Sequence, residues 1–253
     1  MTDWRLTRRR LLFTAGSGVL GVTVLNTVTG CSSESAPPTT SGVPSAAPSG
    51  RSNTSSGGTG DWRRVELSFV SAYLLVRGAE AAVVDLGTDG SAGAIESALK
   101  GAGSGWNAVR HVILTHRHAD HVGGLAGVAP RVDAAFYAGK ADISGIDPAK
   151  PLKPVGDGDE VFGLRIIGTP GHTAGHVSVF DPSTGTLVAG DALRTTGGLV
   201  GPDPQYTDDE TRAAASVRKL AALDVRTILP GHGDPLTSGA ADALHKLAAS
   251  LPS

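Results

Sequence analysis

The sequence THRHADH, at residues 115–121, places three histidines and an aspartate within six consecutive positions. It overlaps HVILTH at residues 111–116, an apolar and β-branched stretch that predicts a buried strand. A single histidine is usually a structural residue, whereas imidazole and carboxylate groups gathered at a strand end are donors that Zn²⁺ binds. We therefore predict a metal site in this segment.

Three later segments carry further donors, each beside glycine or proline at the end of a predicted strand. They are His172 in TPGHTAGH, Asp191 in VAGDAL and His232 in LPGHGDP. Glycine lets the backbone turn sharply, so these loops can converge on one point. One zinc ion takes only three or four protein ligands, so seven donors predict two ions. The predicted metal ligands are His116, His118, Asp120, His121, His172, Asp191 and His232.

The composition limits the chemistry and the partners. The chain has one cysteine, which excludes an internal disulfide framework and a thiolate-rich zinc site. Imidazole and carboxylate donors favour Zn²⁺, with Fe²⁺ and Mn²⁺ as alternatives. A net charge of −2 provides no basic field for nucleic acid. We expect a small-molecule substrate and no nucleic-acid partner, and the sequence leaves the oligomeric state open.

Short apolar strands alternate with helical patterns between residues 61 and 253, which predicts one domain of class α+β with two sheets between helices. The stretches at 176–181 and 186–191 predict a hairpin. Thr207 and Glu210 stand at capping-box spacing before a long amphipathic helix. The predicted strands cover residues 64–70, 72–77, 81–87, 111–116, 133–138, 163–171, 176–181, 186–191 and 225–233.

The motifs HRHADHVGG, GTPGHTAGH, AGD and LPGHG follow one another in the order found in the metallo-β-lactamase fold superfamily. The chain resembles this superfamily from about residue 62 to its last residue. The resemblance implies an αββα sandwich with a metal site at one edge. By the resemblance, the first metal is held by His116, His118 and His172, the second by Asp120, His121 and His232, and Asp191 bridges both.

Asp191 bears on the activity that the resemblance implies. Members that hydrolyse β-lactams usually have Cys or Ser at this position, whereas thioesterases and lactonases of the glyoxalase II type have the bridging Asp. The resemblance therefore favours a hydrolase and disfavours a β-lactamase. We expect a metal-bridging hydroxide, oriented by Asp120 as the catalytic residue, to attack an ester, thioester or lactone-type carbonyl. The short stretch after LPGHG departs from glyoxalase II, which has a long helical extension there.

Two other functions remain open at this point. Superfamily members with a similar ligand set can hold iron, and some oxidise persulfides, so an iron-dependent persulfide-type oxygenase is one alternative. The other is a metal-binding lipoprotein without catalysis. The complete ligand set favours an enzyme over a binding protein.

Three further polar residues are candidates for supporting the ligands. Asp85 in VVDLG is predicted to orient a ligand loop, the alternative being an ordinary turn residue. His176 is predicted to donate to the site, a structural histidine being the alternative. Tyr206 is a candidate for closing the pocket over an oxyanion, although a loop tyrosine often only packs. His111 and His245 are assigned to the surface or the core.

The first 60 residues are not expected to belong to the domain. Residues 1–30 resemble a twin-arginine export signal, with Arg8 and Arg9 before an apolar run. Small residues before Cys31 resemble a lipobox, which implies lipidation of that cysteine. The alternative is a signal-anchor helix. Residues 31–60 are rich in Ser, Pro and Gly and predict a disordered tether. We therefore expect an exported, extracytoplasmic lipoprotein anchored to the bacterial cell membrane.

Overall fold

A computed structural model describes residues 61–252 of the chain. The strands of this part are β1 (Trp62–Leu67), β2 (Val70–Arg77), β3 (Glu80–Val84), β4 (Val109–Leu114), β5 (Ala135–Gly139), β6 (Leu152–Val155), β7 (Glu160–Val161), β8 (Leu164–Gly168), β9 (Val177–Asp181), β10 (Thr186–Gly190) and β11 (Thr227–Pro230). The helices are α1 (Ala92–Gly101), α2 (Ala119–Val122), α3 (Leu125–Val128), α4 (Glu210–Ala221) and α5 (Ala240–Ser250).

The N-terminal predictions lie outside this part of the chain. The export signal of residues 1–30, the lipid attachment at Cys31 and the tether of residues 31–60 therefore stay predictions, as do the domain boundaries drawn from them. Within the described residues, the helices are all too short or too polar to cross a bilayer.

The strands form two mixed sheets. Six strands pair in the order β1-β2-β3-β4-β5-β6 and five in the order β11-β10-β9-β8-β7. In the first sheet, β1, β2 and β3 pair antiparallel, and β3 to β6 pair in parallel. In the second sheet β10 and β11 are parallel and the other pairs are antiparallel, including the predicted hairpin of β9 and β10. Parallel neighbours bring the loops after them to the same sheet edge.

Both faces of each sheet are buried, which explains the continuous apolar runs in the sequence. Neighbouring side chains on a strand point to opposite faces. Leu74 packs in a cluster with helix α1, while Leu75 packs in a second cluster between the sheets. Likewise, Ile166 faces the other sheet, and Ile167 packs in a third cluster with helices α4 and α5. The predicted αββα sandwich is therefore confirmed.

Two predicted strand ends are displaced by residues with positive φ. Strand β1 ends at Leu67, not at residue 70, because Ser68 turns the chain with φ of 71°. Strand β3 ends at Val84, not at Gly87, because Asp85 has φ of 60°. Aspartate tolerates this left-handed conformation better than most residues. The turn at Asp85 aims its side chain at the loop after β4.

The predicted capping box at the start of α4 is wrong. The helix begins at Glu210, and the Asp209 side chain caps it by accepting a hydrogen bond from the Arg212 N–H at 2.9 Å. The Thr207 hydroxyl instead donates to the Asp203 carbonyl at 2.7 Å. An aspartate directly before the helix is as good a cap as threonine and needs no reciprocal glutamate.

Candidate metal centre

The seven predicted donors lie in four loops that meet at one end of the sandwich. The segment after β4 carries His116 and His118, and the single-turn helix α2 carries Asp120 and His121. The other three donors follow strands of the second sheet: His172 after β8, Asp191 after β10 and His232 after β11. The two sheets thus contribute jointly to one cluster.

The first group of donors is formed by three imidazoles. The His118 Nδ1 atom lies 3.1 Å from His116 Nε2 and 3.0 Å from His172 Nε2. These three nitrogens lie within 4.8 Å of one another, a spacing at which one ion can contact them all. His116 and His172 are buried and His118 is half-buried, so the group is open on one side.

The second group combines a carboxylate with two imidazoles. Asp120 Oδ2 lies 3.3 Å from His232 Nε2 and 3.8 Å from His121 Nε2. Asp191 stands between the groups: its Oδ1 is 3.2 Å from His121 Nε2, and its Oδ2 is 3.2 Å from His232 Nε2. The same Oδ2 is 3.4 Å from His172 Nε2 in the first group. One carboxylate therefore faces both groups.

Two of these donor atoms are buried without a hydrogen bond among the described residues. They are His121 Nε2 and Asp191 Oδ1, which lie 3.2 Å apart. A buried polar atom without a partner costs free energy, and native proteins nearly always satisfy it. A cation between the two atoms would satisfy both. The donor set therefore fits a metal site.

The outer nitrogen of several rings is held by an oxygen, which leaves Nε2 facing the cluster. His116 Nδ1 lies 3.0 Å from the Thr115 hydroxyl, and His172 Nδ1 lies 3.3 Å from the Thr207 hydroxyl. His232 Nδ1 lies 2.8 Å from the Phe69 carbonyl oxygen. Because these oxygens can accept the Nδ1 proton, the neutral form of each ring presents an unprotonated Nε2 to an ion.

Asp85 lies against the loop that carries the first ligands. Its carboxylate accepts hydrogen bonds from the Thr115 N–H and hydroxyl, each at 2.7 Å. It also lies 2.8 Å from His121 Nδ1, which places the free Nε2 of that ring toward the cluster. Asp85 is thus a buried support for the loop and for one ring.

His176 supports Asp191 from behind. Its Nε2 accepts a hydrogen bond from the Asp191 N–H at 3.0 Å, and its Nδ1 lies 2.8 Å from the Thr169 hydroxyl. Burial lowers the pKa of His176 to about 3, so the ring is neutral and can accept this bond. His176 therefore accepts a hydrogen bond from the Asp191 backbone instead of donating one to the site, as the sequence had predicted, and it acts as a positioning residue.

Asp142 joins two ligand loops and was not predicted from the sequence. The fully buried carboxylate accepts hydrogen bonds from the Arg117 N–H at 3.0 Å and the Arg117 guanidinium at 3.2 Å. It also accepts from the Thr173 hydroxyl at 2.6 Å and the Gly175 N–H at 2.8 Å. It therefore fixes the loop that carries His118 against the loop that carries His172.

The two groups differ in the charge of their histidines. Burial lowers the pKa of His116 well below its usual range and that of His172 to about 4, so both rings are neutral at pH 7. Burial alone would also lower the pKa of His232, but hydrogen bonds to Asp120 and Asp191 raise it to about 10. A metal ion binding at His232 would therefore displace a proton.

The sequence of this cluster matches a known family. A model of the Metallo-beta-lactamase superfamily matches residues 65–232, a span that contains all seven donors. The chain belongs to the metallo-beta-lactamase superfamily.

Named relatives in this superfamily include hydrolases. The chain is 30% identical to "Probable metallo-hydrolase YflN" of Bacillus subtilis, in a match that covers 61% of this chain and 76% of that protein. It is 33% identical to the hydroxyacylglutathione hydrolase of Dechloromonas aromatica, covering 65% of this chain and 60% of that enzyme. Among solved structures, TTHA1623 in a di-iron-bound form is similar with a TM-score of 0.57 and 26% identity, covering 70% of this chain and 93% of that one.

The cluster of seven donors lies at the floor of a pocket of about 850 Å³. His118, Asp120, His172 and His232 reach the pocket surface, and Tyr206 lies in its wall. Two other histidines lie elsewhere. His111 stacks on Phe162 and Tyr137, and the exposed His245 contacts the Ala221 carbonyl oxygen.

Proposed function

We propose that this superfamily member is a metal-dependent hydrolase that uses two divalent ions to hydrolyse an ester, thioester or lactone-type carbonyl. The observation that carries the proposal is the position of Asp191, whose carboxylate faces both His121 and His232 on one side and His172 on the other. The named hydroxyacylglutathione hydrolase, an enzyme of the same superfamily, supports hydrolytic chemistry.

The donors divide naturally between two ions. One ion would be held by His116, His118 and His172, the other by Asp120, His121 and His232, with Asp191 shared. When bound, the ions would supply Lewis acidity and a water that is deprotonated near neutral pH. Nitrogen and carboxylate donors suit Zn²⁺ first, with Fe²⁺ and Mn²⁺ as alternatives.

Residues of the chain would position the reactants. Asp120 lies half-buried at the pocket floor, so its carboxylate can accept a hydrogen bond from a water at the cluster and orient it. His176 fixes the backbone of Asp191, and Asp85 fixes the ring of His121. The seven donors and these supports are therefore held in place before substrate enters, which lowers the entropic cost of reaction.

The test is removal and restoration of metal. We expect the purified protein to hold two ions per chain, and a chelator to abolish hydrolysis of a panel of thioesters, esters and lactones. Adding back Zn²⁺ is expected to restore turnover and to raise the melting temperature, since metal at 100 times its Kd adds about 2.7 kcal/mol to stability. Elemental analysis, initial rates and thermal unfolding measure these effects. Hydrolysis that continues at full rate in metal-free protein would contradict the proposal.

An iron-dependent oxygenase acting on persulfides is a second candidate. Its support is the similarity to TTHA1623, which is described in a di-iron-bound form. Iron as the metal in purified protein, together with oxygen consumption on a persulfide and no hydrolysis of the panel, would favour this candidate. Two bound ions with neither activity would favour the metal-binding lipoprotein.

We also propose that the enzyme acts outside the cytoplasm on a small molecule while anchored through Cys31. This rests on the sequence of residues 1–31 alone. Replacing Cys31 with alanine is expected to move the protein from the membrane fraction to the soluble extracytoplasmic fraction without changing its hydrolytic rate. Fractionation and immunoblotting measure the distribution, and membrane association that survives the substitution would count against lipidation.

A further inference from the structure

The wall of the pocket has more acidic than basic side chains outside the proposed ligand set. Apart from histidines, Arg194 is the only cationic side chain among the described residues that line it. Its guanidinium is already engaged, because Nη1 pairs with Asp203 Oδ2 at 2.9 Å and Nε donates to the Gly201 carbonyl at 3.2 Å. Asp89, outside the proposed ligand set, adds a further negative charge to the wall. Outside the metal cluster, a substrate carboxylate would therefore find no unpaired cationic side chain in this wall.

The same pocket carries exposed apolar surface. Phe69 and Tyr206, 61% and 59% exposed, are the large hydrophobic side chains most open to solvent in the described part of the chain, and both line this pocket. The Phe69 ring stacks on His232, with centroids 6.1 Å apart and planes 3° from parallel. Exposed apolar groups concentrated at one pocket are typical of a binding surface for an apolar ligand portion.

We propose that the substrate is an uncharged ester, thioester or lactone with an apolar portion, and that Asp203 sets this preference by neutralising Arg194. The inference rests on the proposed hydrolase function. An anionic group at the pocket wall, away from the metal cluster, would lose its hydration and would face Asp89 and Asp203 without a cationic side chain as partner. An uncharged acyl or ring portion avoids this cost and can pack on Phe69 and Tyr206.

Asp203 suits this role because its two oxygens have separate partners. Oδ1 accepts the Gln205 N–H at 3.0 Å and caps the short turn Pro204–Tyr206, while Oδ2 pairs with Arg194. Asp203→Asn keeps an oxygen for the turn and removes the charge that neutralises Arg194. The substitution therefore frees a cation in the pocket while preserving the wall that carries Tyr206.

The test compares a neutral phenyl ester of a medium-chain acid with an ester of equal length that ends in a carboxylate. Wild-type protein loaded with Zn²⁺ is expected to prefer the neutral ester in kcat/KM. Asp203→Asn is expected to reduce this preference about tenfold, mainly through KM, which is the size of one charge-assisted contact in a partly buried site. The double variant Arg194→Gln/Asp203→Asn, which lacks the free cation, is expected to restore the preference.

The matched control is Asp234→Asn, which removes an aspartate paired with Arg64 outside the pocket lining. It is expected to leave the preference unchanged. A wild-type protein that favours the anionic ester, or an Asp203→Asn variant with unaltered preference, overturns the inference.

A binding measurement separates this inference from the hydrolase proposal. Calorimetry with a neutral ketone analogue and its carboxylate counterpart needs no turnover. Tighter binding of the ketone without hydrolysis of any ester, thioester or lactone would support the pocket preference and reject the hydrolase. Equal or tighter binding of the carboxylate would reject the pocket preference, whatever the rates.

Discussion

Asp191→Ala is expected to lower kcat/KM for hydrolysis by about 10³-fold, which corresponds to about 4 kcal/mol of lost transition-state stabilisation. Bound metal is expected to fall from two ions to one or fewer per chain, because this carboxylate alone faces both donor groups. Elemental analysis after gel filtration and steady-state kinetics measure the two effects. The folded domain is expected to survive, since alanine removes a buried charge rather than adding one.

The control for this prediction is a variant that also removes one aspartate charge, but at an exposed position that is not a proposed ligand. Asp234→Asn is expected to retain both ions and the full rate, because Asp234 is exposed and pairs with Arg64. Far-ultraviolet circular dichroism should show the same secondary structure for both variants. An Asp191→Ala protein that is verified as metal-free and still turns over at the wild-type rate would show that the cluster is not the catalytic centre.

Asp142→Asn is expected to destabilise the metal-free protein by about 3 kcal/mol, because a fully buried carboxylate with four donors loses its charge and one of its acceptor atoms. It is also expected to weaken metal binding about 10- to 100-fold, as substitutions of residues that orient ligands typically do. Urea unfolding without metal measures the first effect, and competition with a chromophoric chelator measures the second.

Two variants make this prediction sharper. Asp208→Asn removes the other partner of Arg117, at 2.9 Å, but leaves the bonds to Thr173 and Gly175 intact. This exposed pair is expected to contribute less than about 1 kcal/mol. Thr173→Val removes one of the four bonds to Asp142 and should give an intermediate loss if Asp142→Asn fails to fold. Wild-type stability and metal affinity in Asp142→Asn would refute the role given to this carboxylate.

The sequence could predict the cluster because its donors carry local signals. His116 to His121 lie within one short segment, and the other donors follow apolar strands beside glycine or proline. Gly231 shows why such residues matter: an added Cβ would lie 2.3 Å from Asp191 Oδ1 and 2.7 Å from His121 Cε1. A side chain at this position would push the two donors out of place. The glycine that marks this motif in the sequence is therefore also the residue that the packing of the ligands requires.

The supports of the cluster could not be predicted in the same way. Asp142 contacts Arg117, 25 residues earlier, and Gly175, 33 residues later, and nothing in the surrounding AGKADISGI marks it. Thr115 was likewise not predicted as a support, although its hydroxyl links Asp85 to His116. Such partners are set by tertiary packing, which has no local periodicity to detect.

Short elements were missed for a related reason. Strands β6 and β7 have four and two residues, and helices α2 and α3 have four each, so none is long enough to show a repeat. The capping box failed because a second possible cap, Asp209, lies two residues after Thr207, and the structure uses Asp209. The long strands that form the three apolar clusters were predicted because burial on both faces of a sheet leaves a continuous apolar run in the sequence.

Each donor group takes residues from both sheets: His116, His118, Asp120 and His121 follow the first, and His172 and His232 follow the second. Neither half of the sandwich can assemble a complete group alone. An ion bound there would link the two sheets at the end where their loops meet. The chain would therefore bind metal tightly only after the two sheets have packed together. Loss of the ion would loosen the sandwich first at that end, and amide hydrogens in these loops would then exchange ahead of those in the strand centres.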